Sequence, residues 1–386
     1  MGLAAGYSQS DFLMKGFKFG QLAAPPFFSI STARLANRPK VFFIPKSCGI
    51  LPPAERCSMR RPIVVVGSVN LDLVSIGKRI PLPGETVKGE RFQTFHGGKG
   101  ANQAVAVARL GYPASMIAKV GDDDFGARLR QGLRAAQVNV RAVATAAGTA
   151  SGVALIAVDR KGQNSITVVP GANDQLLPRD LEKALPQLRA AGIILTQLEI
   201  PMESVQYLCS VAQRFRIPLM LDPAPARPIP RRMLRQVTFL TPNETETCVL
   251  CGAAPDQLTV ATVSRFAASL LGGAANVIIK MGKHGAFLAT AAGLSRMIPA
   301  FKVKPVDSTA AGDAFNAGLA VALMQGMDLA EAVRFGAAVG AISTTRAGAQ
   351  PSMPTASEVI RLVASSDGKK QSARPRRETR IAEAAD

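Results

Sequence analysis

The chain has 386 residues, 47% of them apolar, and its 46 Lys and Arg residues against 27 Asp and Glu give a net charge of +19. That apolar content is enough for one sizeable core, and the sequence lacks the run of about 18 apolar residues that would predict a membrane span. No Trp, only three Tyr and no basic stripe with interleaved aromatic residues argue against a nucleic-acid-binding protein. Five cysteines do not make a disulfide framework.

Residues 1–61 differ from the rest of the chain in composition. They hold nine Lys and Arg but two acidic residues, together with several Ser and Phe. This composition is typical of an organelle transit peptide. We expect a plastid protein, with a mitochondrial protein or a cytoplasmic one with a disordered extension as alternatives. Residues 62–366 then form the folded domain, and the basic tail 367–386 is predicted to be disordered.

The first apolar segment, residues 62–73, predicts a strand. Its run of β-branched residues is typical of a strand buried on both faces, as in a parallel sheet. Asn70 and Asp72 alternate with apolar residues at its far end. Ligands bind at the carboxyl ends of such strands, and an amide and a carboxylate there suit a polyhydroxylated substrate.

A glycine-rich segment follows at residues 96–104. Gly97, Gly98 and Gly100 require a sharp turn or a close approach of the backbone, and Lys99 and Asn102 add a charge and a two-way hydrogen-bonding amide. A helix is predicted over 105–110. The spacing matches neither the P-loop nor the dinucleotide fingerprint, so a plain strand-to-helix turn stays open as an alternative.

Strands and helices then alternate along the chain, which predicts a parallel sheet covered by helices. The segments 73–96 and 152–170 do not fit the alternation and indicate short extended runs joined by turns. The alternating elements are strands at 114–119, 192–197, 218–222 and 276–281 and helices at 123–137 and 201–214.

Two further features have competing interpretations. Cys248 and Cys251 have CxxC spacing, but a structural zinc site needs four ligands, so we expect ordinary packing. His96 and His284 lie in glycine-rich segments, where contact with a ligand and local hydrogen bonding are both open.

The most informative segment is 306–318, in which two carboxylates flank small residues that precede an apolar helical pattern. The first N–H groups of a helix are unpaired and attract anions such as phosphate. A carboxylate at Asp313 would repel a phosphate, but it could take a proton from a hydroxyl that attacks the phosphate. With an ordinary pKa near 4 it would be a weak base. An ordinary capped loop is the alternative.

These segments together resemble the PfkB family of carbohydrate kinases, and within it the ribokinases. The resemblance runs over roughly residues 62–363, with the motifs in the family's order. The matching segments are 70–72, 83–86, 97–102, 243–246, 307–313 and 348–351.

The resemblance implies a fold and a set of roles. The fold is a three-layer αβα sandwich with a mainly parallel central sheet and a small β-sheet lid, from about 73–96 and 152–170, that also pairs two subunits into a homodimer. Asp313 would be the catalytic base, and Ala311, Gly312 and Asp313 would form the anion hole. The sugar would contact Asn70, Leu71, Asp72, Gly98, Lys99, Gly100, Ala101, Asn102, Gln163 and Asp313.

The resemblance also implies ATP as co-substrate, Mg²⁺ and an activating K⁺. Glu246 would lie in the Mg²⁺ region. The nucleotide would contact Asn243, Lys280, Met281, Gly282, Lys283, His284, Gly285, Gly312 and Asp313. The K⁺ ligands would come from Asp307, Thr309, Ser343, Arg346, Gly348 and Ser352, mostly through backbone carbonyls.

Three positions depart from the family's commonest pattern. Gln163 stands where a Glu is frequent, Lys280 where a Thr is common, and Ala337 where relatives often have Asn or His near the adenine. The amide of Gln163 can still form hydrogen bonds with a sugar.

The activity implied by the resemblance is ATP-dependent phosphorylation of D-ribose at O5, in D-ribose catabolism. A kinase for deoxyribose or a nucleoside is the nearer alternative. A non-catalytic protein that senses a sugar or a nucleotide is the farther one, because a fold does not imply a function. No nucleic-acid or membrane partner is expected.

Overall fold

The computed structural model describes residues 60–372. The proposed transit peptide therefore falls outside the described residues except for its last two positions, and residues 373–386 of the basic tail also lie outside them.

The described residues form thirteen strands and eleven α-helices. The strands are β1 Ile63–Val66, β2 Asn70–Gly77, β3 Gly89–Gly97, β4 Ala114–Gly121, β5 Asn139–Ala146, β6 Gly152–Val158, β7 Asn164–Val169, β8 Ile193–Thr196, β9 Leu219–Leu221, β10 Phe239–Leu240, β11 Asn276–Lys280, β12 Ala286–Thr290 and β13 Ser295–Ile298. The helices are α1 Lys99–Arg109, α2 Asp124–Ala135, α3 Pro178–Lys183, α4 Leu185–Ala190, α5 Met202–Phe215, α6 Arg231–Leu234, α7 Glu244–Cys251, α8 Val263–Leu271, α9 Ala311–Met324, α10 Leu329–Ser343 and α11 Ala356–Ser372.

The large sheet contains nine of these strands in the order β13-β12-β11-β10-β9-β8-β1-β4-β5. All neighbours from β11 to β5 are parallel, and β12 and β13 add an antiparallel edge. The alternating strands and helices predicted from the sequence are all present, with ends that differ by at most two residues.

Strand β1 shows why the fold has three layers. Successive side chains of a strand point to opposite faces, and all four residues of β1 are fully buried. Ile63 and Val65 pack into one core cluster, with α1, α2, α9, α10 and α11. Val64 and Val66 pack into a second cluster, with α3 to α8. The prediction of an αβα sandwich is confirmed.

The predicted single strand over 62–73 is wrong, because it is two strands in different sheets. β1 ends at Val66 in the large sheet, and β2 begins at Asn70 in a small one. A methyl group on Gly67 would lie 2.0 Å from Gln197 Oε1, so at the break the backbone passes very close to the side chain of the residue that follows β8. The Val69 N–H donates to Asn173 Oδ1 at 2.9 Å, which fixes the chain as it leaves the large sheet.

The small sheet has the order β3-β2-β6-β7, with β2 and β6 parallel and the outer pairs antiparallel. It corresponds to the predicted lid, but it also includes residues 70–72. Every residue of β7 is exposed, including Ile166 at 53% and Val168 at 46%. We call this four-stranded sheet the lid.

Two helices have ends that differ from the predicted bounds. Helix α1 begins at Lys99, earlier than the predicted start at 105, because Gly98 turns the chain with a φ of 88°. Helix α11 continues to Ser372, past the predicted domain end at 366.

Cys248 is fully buried in the second core cluster. Within residues 60–372, no helix combines the length and apolarity required to cross a bilayer.

Candidate active site

The first turn of α9 forms one wall of the candidate site. Ala310 has a left-handed φ of 58° immediately before the helix, and this turns the chain into it. The Ala311 N–H donates to the Ser308 carbonyl at 3.2 Å, so of the three residues predicted for the anion hole, Gly312 and Asp313 have the more available N–H groups. These groups and the helix dipole favour an anion.

Asp313 lies in this first turn and is only 4% exposed. Its carboxylate accepts a hydrogen bond from Asn102 Nδ2 at 3.0 Å and another from Gln103 Nε2 at 3.1 Å. Burial raises the pKa of Asp313 to about 6, although the Lys99 charge and the two amides favour its ionised form. A carboxylate with this pKa is a better base than an ordinary aspartate.

Asn102 and Gln103 come from the glycine-rich segment at the start of α1. Both are buried, and Asn102 Oδ1 has no hydrogen-bond partner among the described residues. A buried acceptor without a partner is costly, so a hydroxyl group of a ligand would satisfy it.

The structure also brings Asp222 into the site, a residue that the sequence motifs did not predict. Asp222 Oδ1 accepts from Lys280 Nζ at 2.9 Å, and Asp222 Oδ2 accepts from Gln103 Nε2 at 3.3 Å. Asp222 directly follows β9, so its position at the carboxyl end of a parallel strand was a signal that could have revealed it. Gln103 was also missed, although it adjoins Asn102.

Lys99 lies at the first position of α1, among several carboxylates. Burial lowers its pKa, but the charges of Asp313, Asp222, Glu199 and Glu246 outweigh burial and raise the pKa above its ordinary value. The ammonium is therefore firmly charged at neutral pH, beside the carboxylate of Asp313.

Two of the residues predicted to bind the sugar, Asn70 and Asp72, lie where β2 pairs with β3. A methyl group on Gly97 would lie 2.3 Å from Asp72 Oδ2, so only glycine leaves room for that carboxylate. Burial, together with the nearby Glu199 charge, raises the pKa of Asp72 to about 7. Asn70 Oδ1 accepts from Asn173 Nδ2 at 2.7 Å, which orients the Asn70 amide.

Glu199 is a further acidic residue of the site that the sequence motifs did not predict. It accepts hydrogen bonds from Ser68 Oγ and, at 3.2 Å, from the Lys99 N–H. It follows β8, at the same edge of the sheet as Asp222. The site therefore has a carboxylate after each of two neighbouring strands.

Some predicted sugar contacts can come only from backbone atoms. The side chains of Leu71 and Ala101 are fully buried in the core, and the Ala101 N–H donates to the Ser68 carbonyl at 2.9 Å. Gly98 and Gly100 are positions of close packing, since a methyl group would lie 2.7 Å from the Asn70 nitrogen and the Gly67 carbonyl carbon respectively.

Gln163 lies apart from the other predicted sugar residues in this chain. It is exposed in the turn between β6 and β7, and its N–H donates to Asp159 Oδ1 at 2.9 Å. Asn70 pairs with Gly152 at the start of β6, whereas Gln163 follows the end of that strand. The two ends of β6 are about 20 Å apart at the usual rise of a strand.

The predicted nucleotide side adjoins the first turn of α9. Asn243 caps α7, and its N–H and Nδ2 donate to Glu246 at 2.7 and 2.9 Å. Asn243 also forms a bridge with Lys280 at the end of β11. A carboxylate has about four lone-pair sites, so the Glu246 group retains capacity for Mg²⁺ or its water ligands.

The segment after β11 is a tight exposed turn over Gly282–His284. Met281 is buried beneath it, whereas Gly282, Lys283 and His284 are exposed. Gly285 has a φ of 100°, and a methyl group there would lie 2.0 Å from the Ile298 carbonyl oxygen. Glycine is therefore required to close this turn.

The residues predicted to bind K⁺ form one neighbourhood beside α9. Asp307 accepts from Thr309 N–H and from Gly348 N–H, each at 2.8 Å, and joins the segment before α9 to the one after α10. Burial raises the pKa of Asp307, but hydrogen bonds from Thr309 and Gly348 outweigh it and hold the pKa below its usual range. An ionised carboxylate is a ligand type that suits a hard cation.

The other predicted K⁺ residues form local contacts. Ser343 Oγ donates to the Gly340 carbonyl at 2.8 Å, and Ser352 Oγ donates to the Ala349 carbonyl at 2.7 Å. Arg346 forms an ion pair with Glu358.

His96 belongs to β3 of the lid and packs against α2. A methyl group on Gly132 would lie 2.6 Å from the His96 ring, so the ring lies against α2. Burial lowers the pKa of His96, and the Arg128 charge lowers it further. Local packing therefore accounts for this histidine.

The arrangement can support transfer of a phosphoryl group to a hydroxyl. A buried carboxylate with a raised pKa stands at the helix terminus that would hold an anion. Asn102 contacts this carboxylate, and Asn70 and Asp72 lie against Gly98 and Gly97 of the glycine-rich segment that carries Asn102, so all three polar side chains are available to a polyol. The site therefore combines a base, a pocket for the acceptor hydroxyl and a helix N-terminus that stabilises negative charge.

Comparison with known proteins identifies the family to which the chain is similar. The model of the pfkB family of carbohydrate kinases matches residues 60–356. The chain is similar to a ribokinase of Bacillus subtilis, with 42% identity over 303 residues that span 78% of this chain and 99% of that protein. It is also similar to a deoxyribokinase of Salmonella typhi, with 36% identity over 76% of this chain and 95% of that protein.

Among solved structures, the chain is similar to Arabidopsis thaliana ribokinase complexed with ribose and ATP. The TM-score is 0.74 at 34% identity, and the match covers 79% of this chain and 99% of that one. The chain belongs to the PfkB family of carbohydrate kinases, with the ribokinases among its relatives, and is a phosphotransferase that uses an alcohol group as acceptor.

Proposed function

We propose that this enzyme transfers the γ-phosphoryl group of ATP to O5 of D-ribose, giving ribose 5-phosphate and ADP in D-ribose catabolism. The observation that carries the proposal is the position of Asp313, buried between the polar side chains of the glycine-rich segment and the N-terminus of α9. The ribokinase relatives support the choice of sugar and nucleotide.

Ribose would be held by Asn70, Asp72, Lys99 and Asn102, with the backbone at Gly98 close to the sugar. Asn102 has a buried acceptor that a ribose hydroxyl would pair with. Asp72 has a pKa near 7, so its carboxyl group can either accept or donate a hydrogen bond in the neutral range.

Asp313 acts as general base in this proposal. Its carboxylate accepts the O5 proton as O5 attacks phosphorus, and the pKa near 6 leaves it mostly ionised at neutral pH. The N–H groups of Gly312 and Asp313 stabilise charge on the transferred group. Closure of the lid excludes water, which would otherwise hydrolyse ATP.

ATP would lie along Asn243, Lys280 and the turn at Gly282–His284. Mg²⁺ would neutralise negative charge on the phosphates of ATP. Glu246 would hold it, directly or through water. A monovalent cation, K⁺, would lie among the backbone oxygens near Asp307 and Gly348 and steady the segment that leads into α9.

A homodimer through the lid is part of the proposal. The strand register places Ile166 and Val168 on the same face of the lid as Asp72. Both are about half exposed, and an apolar sheet face of this kind needs a cover. A partner lid on that face would also enclose the sugar.

The composition of residues 1–61 supports delivery to a plastid, with the mitochondrion and the cytoplasm as alternatives. Expression of the full chain with a C-terminal fluorescent tag, followed by microscopy and sequencing of the mature N-terminus, tests this. An uncleaved, uniformly cytoplasmic product would contradict it.

A second candidate is a kinase for deoxyribose or a nucleoside. The deoxyribokinase relative supports it, since that protein is 36% identical to this chain and the Bacillus subtilis ribokinase is 42% identical. A binding protein without activity is disfavoured because Asp313 and the helix terminus are both intact.

The test is release of ADP by the purified full-length chain with Mg-ATP and D-ribose, with and without K⁺. We expect turnover that requires ribose and rises with K⁺. Ribose-dependent turnover without a K⁺ effect would remove the cation site and leave the kinase. Turnover only with deoxyribose or nucleosides would replace the substrate, and no turnover with any of them would favour a binding protein.

A further inference from the structure

Lys280 reaches the start of α9 from the nucleotide side. A methyl group built on Gly312 would lie 3.3 Å from Lys280 Nζ, so the ammonium lies against the second residue of the helix. Nζ donates to Asp222 Oδ1 at 2.9 Å, and only 13% of the Lys280 side chain is exposed. The ammonium is therefore fixed beside the N–H groups that face the transferred phosphoryl group.

The contacts of Lys280 leave donors for a ligand. An ammonium has three N–H donors, and the described residues show one hydrogen bond from Nζ, to Asp222. Asp222 also accepts from Gln103, so it serves both the lysine and the amide that contacts Asp313. The Lys280–Asp222 pair is neutral as a whole, and its positive member is the one that lies against Gly312.

We propose that Lys280 is a catalytic residue that contacts the phosphoryl group during its transfer, and that Asp222 positions it. This rests on the proposed kinase reaction, in which the bond from phosphorus to the ADP oxygen breaks, the bond to ribose O5 forms, and the O5 proton passes to Asp313. Negative charge is spread over the oxygens of the moving group, and a fixed ammonium in a water-poor site stabilises it strongly.

A purely structural role makes a different prediction. If Lys280 only neutralised Asp222, then removing both charges together would restore activity, because no unpaired buried charge would remain. If Lys280 contacts the phosphoryl group, activity stays low without it, whether or not Asp222 is charged. The double variant separates the two roles.

The experiment measures kcat and the KM for ribose of the full-length protein and four variants. The variants are Lys280→Met, Asp222→Asn, the double variant Lys280→Met/Asp222→Asn, and Lys183→Met as a charge-matched control at an exposed position of α3. We expect Lys280→Met to lower kcat about 10²-fold, and the double variant to remain at least about tenfold below Asp222→Asn. The KM for ribose should change less than about twofold in Lys280→Met. A double variant as active as Asp222→Asn would overturn the proposal.

A binding measurement gives a readout that needs no turnover. By calorimetry, Lys280→Met should weaken binding of a non-hydrolysable Mg-ATP analogue about tenfold and leave Mg-ADP binding within about twofold, because ADP lacks the group that Lys280 contacts. Equal effects on both nucleotides, or none, would overturn the contact. If wild type binds nucleotide but phosphorylates no ribose, the proposed substrate fails, while this measurement still decides the role of Lys280.

Discussion

Gln103 Nε2 lies 3.1 Å from Asp313 Oδ1, although the two residues are 210 positions apart in the sequence. The same nitrogen lies 3.3 Å from Asp222 Oδ2, and Gln103 Oε1 accepts from Gln197 Nε2 at 2.8 Å. The amide therefore has partners on both ends and cannot rotate without losing them. It holds the carboxylate of Asp313 at the N-terminus of α9, where the proposed reaction needs a base.

Replacing Asp313 by Asn tests the base directly. The variant keeps the shape of the side chain but cannot accept the O5 proton, so we expect kcat to fall at least about 10²-fold while ribose binding is largely kept. Steady-state kinetics and calorimetry with ribose measure the two effects. Activity near that of wild type would show that another group takes the proton.

The pH dependence of the enzyme should report the raised pKa of Asp313. Only the ionised carboxylate can accept a proton, so kcat/KM for ribose should be full well above pH 6 and fall as the pH drops through about 6. Asp72 also has a raised pKa, so the profile of Asp72→Asn is the control, and its fall near pH 6 should remain. A fall near pH 4 in wild type would contradict the effect of burial on Asp313.

Gln103→Leu should move that pH profile. The hydrogen bond from Gln103 favours the ionised form of Asp313, so its loss should raise the pKa of Asp313 and shift the midpoint upward. Activity of the variant should recover partly at high pH. Gln236→Leu, which alters a half-buried glutamine that contacts the exposed Gln213, is the matched control. A loss of kcat by the same factor at every pH would mean that Gln103 acts only through folding.

Asp72→Asn should stabilise the folded protein at high pH, at a cost in sugar binding. The pKa of Asp72 is about 7 in the folded state against 3.8 for an ordinary aspartate, so the folded state binds the proton more tightly. Wild type therefore loses stability as the pH rises from about 4 to 7, whereas Asn does not titrate. Urea unfolding should show no large difference at pH 4 and a gain on the order of 2 kcal/mol for the variant at pH 8. The same difference in the free energy of unfolding between variant and wild type at both pH values would contradict a raised pKa of Asp72.

Ile166→Asp should disrupt the proposed dimer. A carboxylate on the exposed apolar face of the lid would oppose burial against a partner, so light scattering should show a monomer, and the KM for ribose should rise. Leu155→Asp is the matched control, because the register places Leu155 on the opposite face of the lid at a similar 47% exposure. Dissociation by Leu155→Asp alone would move the interface to the other face.

Much of the fold could be predicted from local pattern. Runs of buried β-branched residues alternate with helical periodicity, and this pattern requires a parallel sheet between two layers of helices. The break between β1 and β2 could not be seen, because residues 62–73 keep an apolar alternation through it. Gly67 packs closely against Gln197, the residue that follows β8 and comes over a hundred positions later, at the point where the chain leaves the large sheet.

The candidate site likewise contains features that the sequence predicts locally and contacts that only the tertiary structure creates. The small residues before α9, the carboxylate of Asp313 and the glycines around Lys99 are local signals, since a helix terminus and a tight turn are each built from neighbouring residues. The partners of those groups are not local. Asp222, Glu199 and the ammonium of Lys280 come to Asp313 and Lys99 because β8, β9 and β11 end at one edge of the sheet, and strand order depends on packing of the whole core rather than on any single segment.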